Sequence, residues 1–401
     1  MDRRTFLKAI PLPLLAAPAG VRQIGMDSDG MITMDGRREF ILGLYQLPRT
    51  ASPWKEAKEA GFNLVNVQAK AEDFAQAAAH NLHAWVGLGS LSPKKRSADE
   101  ERIRKIVTAF RNEPALLLWE TEDEPSYIWK KTEPRVPPED IIATYSFVKS
   151  LDPAHLLYLN HAPTNLESTL ERYNPGADIV ATDIYPVAPP GIREMYALWP
   201  DGRQGDFLNT FVSQVGQYAD KMRRVAGASR AVFLVLQAFA WENLREKDRD
   251  PKMILYPTRS QMRFMTYQAI AHGLNGLLYW GLYSNPPDAP LWEDVRAVAG
   301  ELRELKTELA ARKAPLKLGL TYHDVGHSLD RGIEWIAKPG EHGVILMAVN
   351  ADPNPVEVTF SGLDAFRRCQ ALFESRTPGL KDGAWRDSFE PFGAHVYRLS
   401  F

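Results

Sequence analysis

The sequence predicts an α/β fold, a (β/α)8 TIM barrel followed by a small antiparallel β-sandwich-like domain. Between Phe40 and about residue 312, eight apolar strand-like runs alternate with helical patterns. Most of these runs are continuously apolar rather than alternating, as strands buried on both faces must be. Eight such units over roughly 250–300 residues match a closed barrel. No glycine-rich phosphate loop follows the first strand, which weighs against an open, doubly wound sheet. After about Pro315 the helical period disappears and short β-rich runs separated by Gly, Pro and Asn take over.

The elements follow in order. GMITMDGRREFILGLYQL, residues 30–47, reads as a small hairpin turning at Asp35-Gly36 that runs into a strand ending near Tyr45. Pro53 to Ala60 is helical, with Gly61 as its stop. NLVNVQ (63–68) is a strand, 71–80 a helix, AWVGLG (84–89) a strand and 98–112 a charged helix. The strand Ala115–Trp119 follows, then a helix over 138–150, the strand HLLYLNHAP (155–163) and a short helix over 164–173. DIVATDIYPV (178–187), a long amphipathic helix over 207–226 and AVFLVLQAFAW (231–241) come next. A helix over 258–272, GLLYWGLY (276–283) and a helix over 291–312 complete the barrel, assigned to residues 25–313. Residues 314–401 form the β-domain, built from GIEWIAKPGEHGVILMAVNAD, PVEVTFSGL, CQALFES and FGAHVYRLSF.

The 401 residues are 45% apolar and 24% charged, with a formal net charge of -2. That near-neutral balance, without a basic block, argues against a nucleic-acid partner. The single cysteine, Cys369, permits no internal disulfide and reads as a small buried hydrophobe. At the N-terminus, Arg3-Arg4-Thr5-Phe6-Leu7-Lys8 precedes an apolar run to Ala17, and Ala17-Pro18-Ala19 offers a cleavage site after Ala19. The run is too short to span a bilayer and contains Pro11 and Pro13. Residues 1–19 resemble a twin-arginine signal, so the mature protein is expected in the periplasm or outside the cell, with no membrane association after cleavage.

The stretch EPALLLWETEDEPSYIW, residues 113–129, holds the densest chemistry. Its apolar front half is a strand; its back half presents Glu120, Glu122, Asp123 and Glu124, halted by Pro125. Four carboxylates with no basic partners beside them contribute little to folding, whereas a site needing a proton donor and a second carboxylate uses them directly. A solvated acidic loop is the plain alternative. In a barrel of this kind, chemistry sits at the C-terminal ends of the strands. Those ends carry Tyr45, Gln68, Gly89, the acidic cluster, Asn160 and His161, Asp183 with Tyr185, Gln237 with Trp241 and Glu242, and Trp280 with Tyr283. Aromatic faces stack on the C–H faces of pyranose rings, and amides, carboxylates and imidazoles bond their hydroxyls. Any single aromatic here is as readily core; as a set accompanied by polar groups, they point to a carbohydrate partner.

Asp123-Glu124-Pro125, at the end of the fourth barrel strand, resembles the Asn-Glu-Pro acid/base motif of glycoside hydrolase clan A. FILGLY (40–45), TDIYP (182–186) and YPTRSQMRFMTYQAIAHGLNGLLYWGLY (256–283) resemble clan members that carry a C-terminal β-domain. The resemblance covers most of the mature chain; the motifs are short, and their order and spacing carry the weight. It implies that Glu124 is the general acid/base of an enzyme cleaving oligo- or polysaccharides. Crowding by Glu122 and Asp123 shifts its pKa upward, as a proton donor near neutrality needs. Asp123 stands where the family has Asn, and either orients a sugar hydroxyl, steers an acetamido group as in hexosaminidases with a consecutive Asp-Glu pair, or caps the strand end. The resemblance puts a nucleophilic glutamate at the end of the seventh strand, where this sequence has Gln237, and an amide is no carboxylate nucleophile. Three repairs stand open: Glu242 reaching in from the next loop, Asp183 activating water in an inverting mechanism, or a substrate N-acetyl group positioned by Gln237 and Asp123.

No cofactor or metal is expected. His80 and His83 read as neighbours on one helix without a third ligand, and HDVGH (323–327) as a surface turn. No G-x-S-x-G elbow is present, which weighs against an esterase. Two function classes follow: an exported glycoside hydrolase, or a carbohydrate-binding barrel that has lost its nucleophile. The sequence does not specify the oligomeric state.

Overall fold

Continuously apolar strands need cover on both faces, and these find it by closing on themselves. In the computed structural model, residues 22–127, 133–191, 207, 209–323, 329 and 331–401 are described. Strands β1 (Ile24–Met26), β2 (Ile32–Met34) and β3 (Arg37–Glu39) form a small antiparallel sheet. The barrel strands are β4 (Ile41–Leu44), β5 (Leu64–Asn66), β6 (His83–Gly87), β7 (Leu116–Glu120), β8 (Leu156–His161), β9 (Ile179–Ile184), β10 (Ala231–Gln237) and β11 (Gly276–Trp280). They pair in sequence order, and the ring closes where β11 lies parallel to β4, Gly276 opposite Ile41. Inward-facing Ile41, Leu64, Trp85, Tyr158, Phe233 and Leu278 fill its interior.

Asp35 (φ 51°) and Gly36 (φ 76°) turn the N-terminal hairpin, the positive φ pair that a tight two-residue connection requires. Ile32 and Met34 join the interior cluster, so this hairpin stoppers the barrel at the end opposite the acidic residues. Helices α1 (Pro53–Ala60), α2 (Ala71–Ala79), α3 (Arg96–Phe110), α4 (Pro138–Leu151), α5 (Glu167–Leu170), α6 (Gln214–Ala226), α7 (Arg259–Ala271), α8 (Leu291–Glu304) and α9 (Lys306–Ala310) return the chain outside the ring. Gly61 ends α1 in the left-handed conformation, and Thr258 with Gln261 makes a capping box on α7.

The C-terminal residues form two antiparallel sheets. β12 (Gly319–Tyr322), β15 (Val356–Ser361) and β17 (Trp385–Phe389) make one, in the order β12-β15-β17. β13 (Ile333–Gly340), β14 (Gly343–Asn350), β16 (Arg368–Leu372) and β18 (Ala394–Ser400) make the other, in the order β13-β14-β18-β16. Strict alternation in β15 buries Val356, Val358 and Phe360 between the sheets with Trp385 and Tyr397. The outer face of the four-stranded sheet lies on α7, and Ile345, Met347, Val349 and Val396 merge with the barrel core. Cys369 is buried in the inter-sheet core, as a small hydrophobe.

Several elements differ from expectation. The helix expected over 291–312 breaks at Leu305 into α8 and α9. The one expected over 164–173 shrinks to α5 followed by a 3-10 turn, Glu171–Gly176, in which Pro175 removes a helical donor. Of the helix expected over 207–226, α6 covers only Gln214 onward. His83 does not share a helix with His80: it opens β6 and meets Arg22. His323 follows β12 with its ring on Thr359, while the rest of HDVGH lies outside the described residues, as do the expected signal segment 1–19 and residues 128–132.

Candidate active site

Period-two alternation decides which strand-end side chains meet. Continuing the inward faces of β8, β9 and β11 past Tyr158, Ala181 and Leu278 places Asn160, Asp183 and Trp280 at the open mouth. Together with Tyr45, Asp123, Glu124, Tyr185, Phe239, Trp241 and Leu244 they line a cleft of about 240 Å³. One wall is acidic and the other aromatic. On the aromatic wall Tyr185 stacks on Trp280 with ring centres 5.5 Å apart, and Phe239 meets Trp280 edge-on at 5.0 Å. The Trp241 indole N–H donates to Tyr185 O, which fixes that ring at the cleft edge.

The acidic wall is built where β7 ends. Glu124 has φ 44°, a left-handed conformation that costs an ordinary residue about 1–2 kcal/mol. Two backbone bonds hold it there: its N–H donates to Asn160 O, and its carbonyl accepts from Tyr127 N–H. Pro125 follows and blocks any continuation of the ladder. The Asn160 amide then ties three strands together, donating to Asp123 Oδ1 at 3.0 Å and to Asp183 Oδ1 at 3.2 Å.

Glu124 and Asp183 both line the cleft, near enough for each carboxyl to influence the other's ionisation. Burial and the Asp123 charge push Glu124 up to about 7, against the opposing pull of Arg135 and Asp183. Burial, then the charges of Glu124 and Asp123, hold the Asp183 carboxyl well above the usual carboxylate range. Neighbouring carboxyls in a buried site resist ionising together. Beneath them Glu120 faces the barrel interior, its Oε2 accepting from Trp85 Nε1 at 2.9 Å and its Oε1 facing the Tyr45 hydroxyl at 3.5 Å. Burial and the Asp123 charge raise Glu120 to about 8. Among the described residues, no group of three His, Cys, Asp or Glu side chains is arranged to hold a metal ion.

The cleft therefore gathers Tyr45, Asp123, Glu124, Asn160, Asp183, Tyr185, Trp241 and Trp280, and six expected site residues lie outside its lining. His161 points the other way from Asn160: its ring packs on Tyr173 behind the barrel wall, and burial depresses its pKa to about 3. Gln237 spends its amide on backbone, accepting from Val187 N–H and donating to Val187 O and Phe239 O. Glu242 does not reach in, because a 3-10 turn, Trp241–Leu244, buries its carboxylate against Asp250 N–H with Arg245 at 3.2 Å. Glu122 turns to Ser90 and Arg135, Gln68 is exposed beyond β5, and Tyr283 stands 65% exposed on the rim under Arg49. Phe239 and Leu244 line the cleft without having been singled out, and as apolar residues past a strand end they carry no distinguishing signal. Glu120 and Tyr158, its interior partners, are reachable from the alternation of β7 and β8.

No protein-family model matches this sequence, and no curated protein sequence matches it. Solved structures do resemble it in fold. A glycoside hydrolase family 30 subfamily 8 xylanase from Clostridium acetobutylicum superposes with a TM-score of 0.52 at 11% identity, over 91% of this chain and 96% of that one. A family 39 glycoside hydrolase from Bacteroides cellulosilyticus WH2 gives 0.53 at 11%, over 92% and 84%. AmyP in complex with maltose gives 0.55 at 10%, over 90% and 96%. At such identities the likeness is one of fold, a (β/α)8 barrel with a C-terminal β-domain; the first two of these structural neighbours are glycoside hydrolases.

Proposed function

We propose that this protein is an exported glycoside hydrolase, with Glu124 as general acid/base and Asp183 as the second carboxylate. One observation carries the reading: Asp123, Glu124 and Asp183 line one cleft at the C-terminal mouth of the barrel together with Tyr185, Trp241 and Trp280. Glu124 sits on the outer loop and retains its proton up to about 7, so it is the donor to the glycosidic oxygen as the C–O bond breaks. Asp183, fixed by Asn160, is the carboxylate left to take a proton from attacking water or to support the sugar cation. The carbohydrate ligand of one fold neighbour and the hydrolase activities of the others support the same substrate class. The Arg3-Arg4 segment supports export through the twin-arginine route, to the periplasm or beyond.

One feature favours a second reading, a carbohydrate-binding barrel without turnover: Gln237 stands on β10 where the family resemblance implies a glutamate, and its amide is fully engaged. Sugar release from a panel of polysaccharides and aryl glycosides separates the two. The hydrolase reading expects release that drops about 10²–10⁴-fold in Glu124→Gln and comparably in Asp183→Asn. Release undiminished in Glu124→Gln removes the acid/base assignment, and glycan binding with no release across the panel favours the binding barrel.

A further inference from the structure

Glu124 holds its backbone against two local preferences. Its φ of 44° is strained for a residue with a Cβ, and Pro125 biases the residue before it toward an extended conformation. Left to those preferences, residue 124 would turn to the β region and carry its side chain with it. Neighbouring segments hold the chain from behind at three consecutive residues. Glu124 N–H donates to Asn160 O at 3.0 Å. Pro125 O accepts from Val136 N–H at 3.0 Å, and Val136 O accepts from the Tyr173 hydroxyl at 2.8 Å. Ser126 Oγ donates to Asn165 Oδ1 at 3.1 Å, with both side chains fully buried. The first contact uses backbone alone, whereas the third needs these two side chains. Asn165 is a costly choice for packing: its buried amide nitrogen has no hydrogen-bond partner among the described residues. An apolar pair would fill the same space, but a hydroxyl–amide bond fixes direction.

We infer that Ser126 and Asn165 are positioning residues for the proton donor: their bond latches the β7 exit onto the β8 exit and holds Glu124 in the strained conformation that keeps its carboxyl in the cleft. Neither side chain lines the cleft, so the pair acts on the chemistry only through residue 124. Strain held at a reacting residue by its surroundings is preorganisation. With the latch gone, the β7 exit relaxes, the acid moves toward water, and the burial that retains its proton is lost. This rests on reading Glu124 as the proton donor, but the hold on residue 124 is measurable without a substrate.

Two measurements read the latch without a sugar. In the first, Glu124→Gly and Glu124→Ala are compared by thermal unfolding. Glycine is ordinarily the less stable of the two; here it is expected to have the higher Tm, because it adopts φ 44° without strain. In the Ser126→Ala/Asn165→Leu background that advantage is expected to vanish. In the second, protein carrying carbon-labelled glutamate is titrated by NMR, the Glu124 carboxyl being the resonance missing from Glu124→Gln. Its midpoint is expected to fall by about one pH unit or more in the double variant while Tm changes little, since both partners are replaced by apolar groups. Alanine at 124 as stable as glycine, or a midpoint unmoved in the double variant, overturns the latch. Sugar release by the double variant is expected to fall about tenfold or more in kcat with KM nearly unchanged. Release lost in Glu124→Gln but intact in the double variant also overturns the latch, and keeps the donor. Both sugar-free results as expected, with release undiminished in Glu124→Gln, keep the latch and remove the donor.

Discussion

A single amide nitrogen, Nδ2 of Asn160, touches both Asp123 and Asp183, and the proton chemistry of the cleft follows from the crowding it imposes. Glu124 is raised to about 7 by burial first and by the Asp123 charge second. The donor form of an acid exists below its pKa. Turnover that uses Glu124 as proton donor is therefore expected to fall as pH rises through about 7. Asp123→Asn keeps the size of the side chain and removes the repulsive charge, so Glu124 loses its proton more readily. The alkaline limb of kcat/KM is expected to move down by about one pH unit, which a pH-rate profile reads directly. An unmoved limb would mean that burial alone sets the donor. The same carboxyls show how far sequence reasoning reaches at this scale. Residue type and the Glu124-Pro125 break singled out Asp123 and Glu124, which line the cleft, whereas telling Asn160 from His161 required the phase of β8, because one position along a strand reverses the face.

At the scale of elements, most strands and helices were legible because the barrel makes simple demands: continuous apolar runs for β7 to β11, amphipathic or capped helices between them. What was not legible lies where the chain leaves a strand. Glu242 and Gln237 sit next to the cleft in sequence, yet a 3-10 turn buries one and two neighbouring carbonyls claim the amide of the other. Propensity does not encode such contacts, since they depend on how the β9 and β10 exits meet. Gly281, at the exit of β11, makes the point testable. Its φ of 102° belongs to glycine, and an added Cβ would lie 2.5 Å from the Phe239 ring. Gly281→Ala is expected to destabilise by more than about 1 kcal/mol and to push Phe239 off Trp280. Two measurements check it: a lower Tm, and glycan affinity reduced beyond what the loss of folded protein explains. Unchanged glycan affinity would dissociate the aromatic wall from binding.

Across the whole molecule, the β-domain and the barrel share one packed boundary, and a charged cluster lies within it. His272, just past α7, places Nδ1 on Asp220 of α6 at 2.7 Å and Nε2 on Glu334 of β13 at 2.9 Å. Gln268 donates to the same Glu334 carboxylate, and Arg331 faces it at 3.4 Å. Burial opposes a charged ring here, but the bonds to Asp220 and Glu334 outweigh it and raise His272 to about 9. A histidine raised in the folded state lends stability that is fully present below its ordinary 6.5 and is lost as pH climbs through about 9. The Tm of the wild-type chain is therefore expected to decline between about pH 7 and pH 10. His272→Gln retains hydrogen-bonding capacity but has no proton to lose. It is expected to lower Tm at pH 6.5 by a few degrees, since a hydrogen bond to a charged group contributes about 1.5–3 kcal/mol, and to flatten the alkaline decline. Thermal unfolding followed across that pH range distinguishes the outcomes. If the variant declines as steeply as wild type, the alkaline sensitivity lies elsewhere, and the junction between barrel and β-domain is held by its apolar contacts, Met347, Val349 and Val396 among them, rather than by this ion cluster.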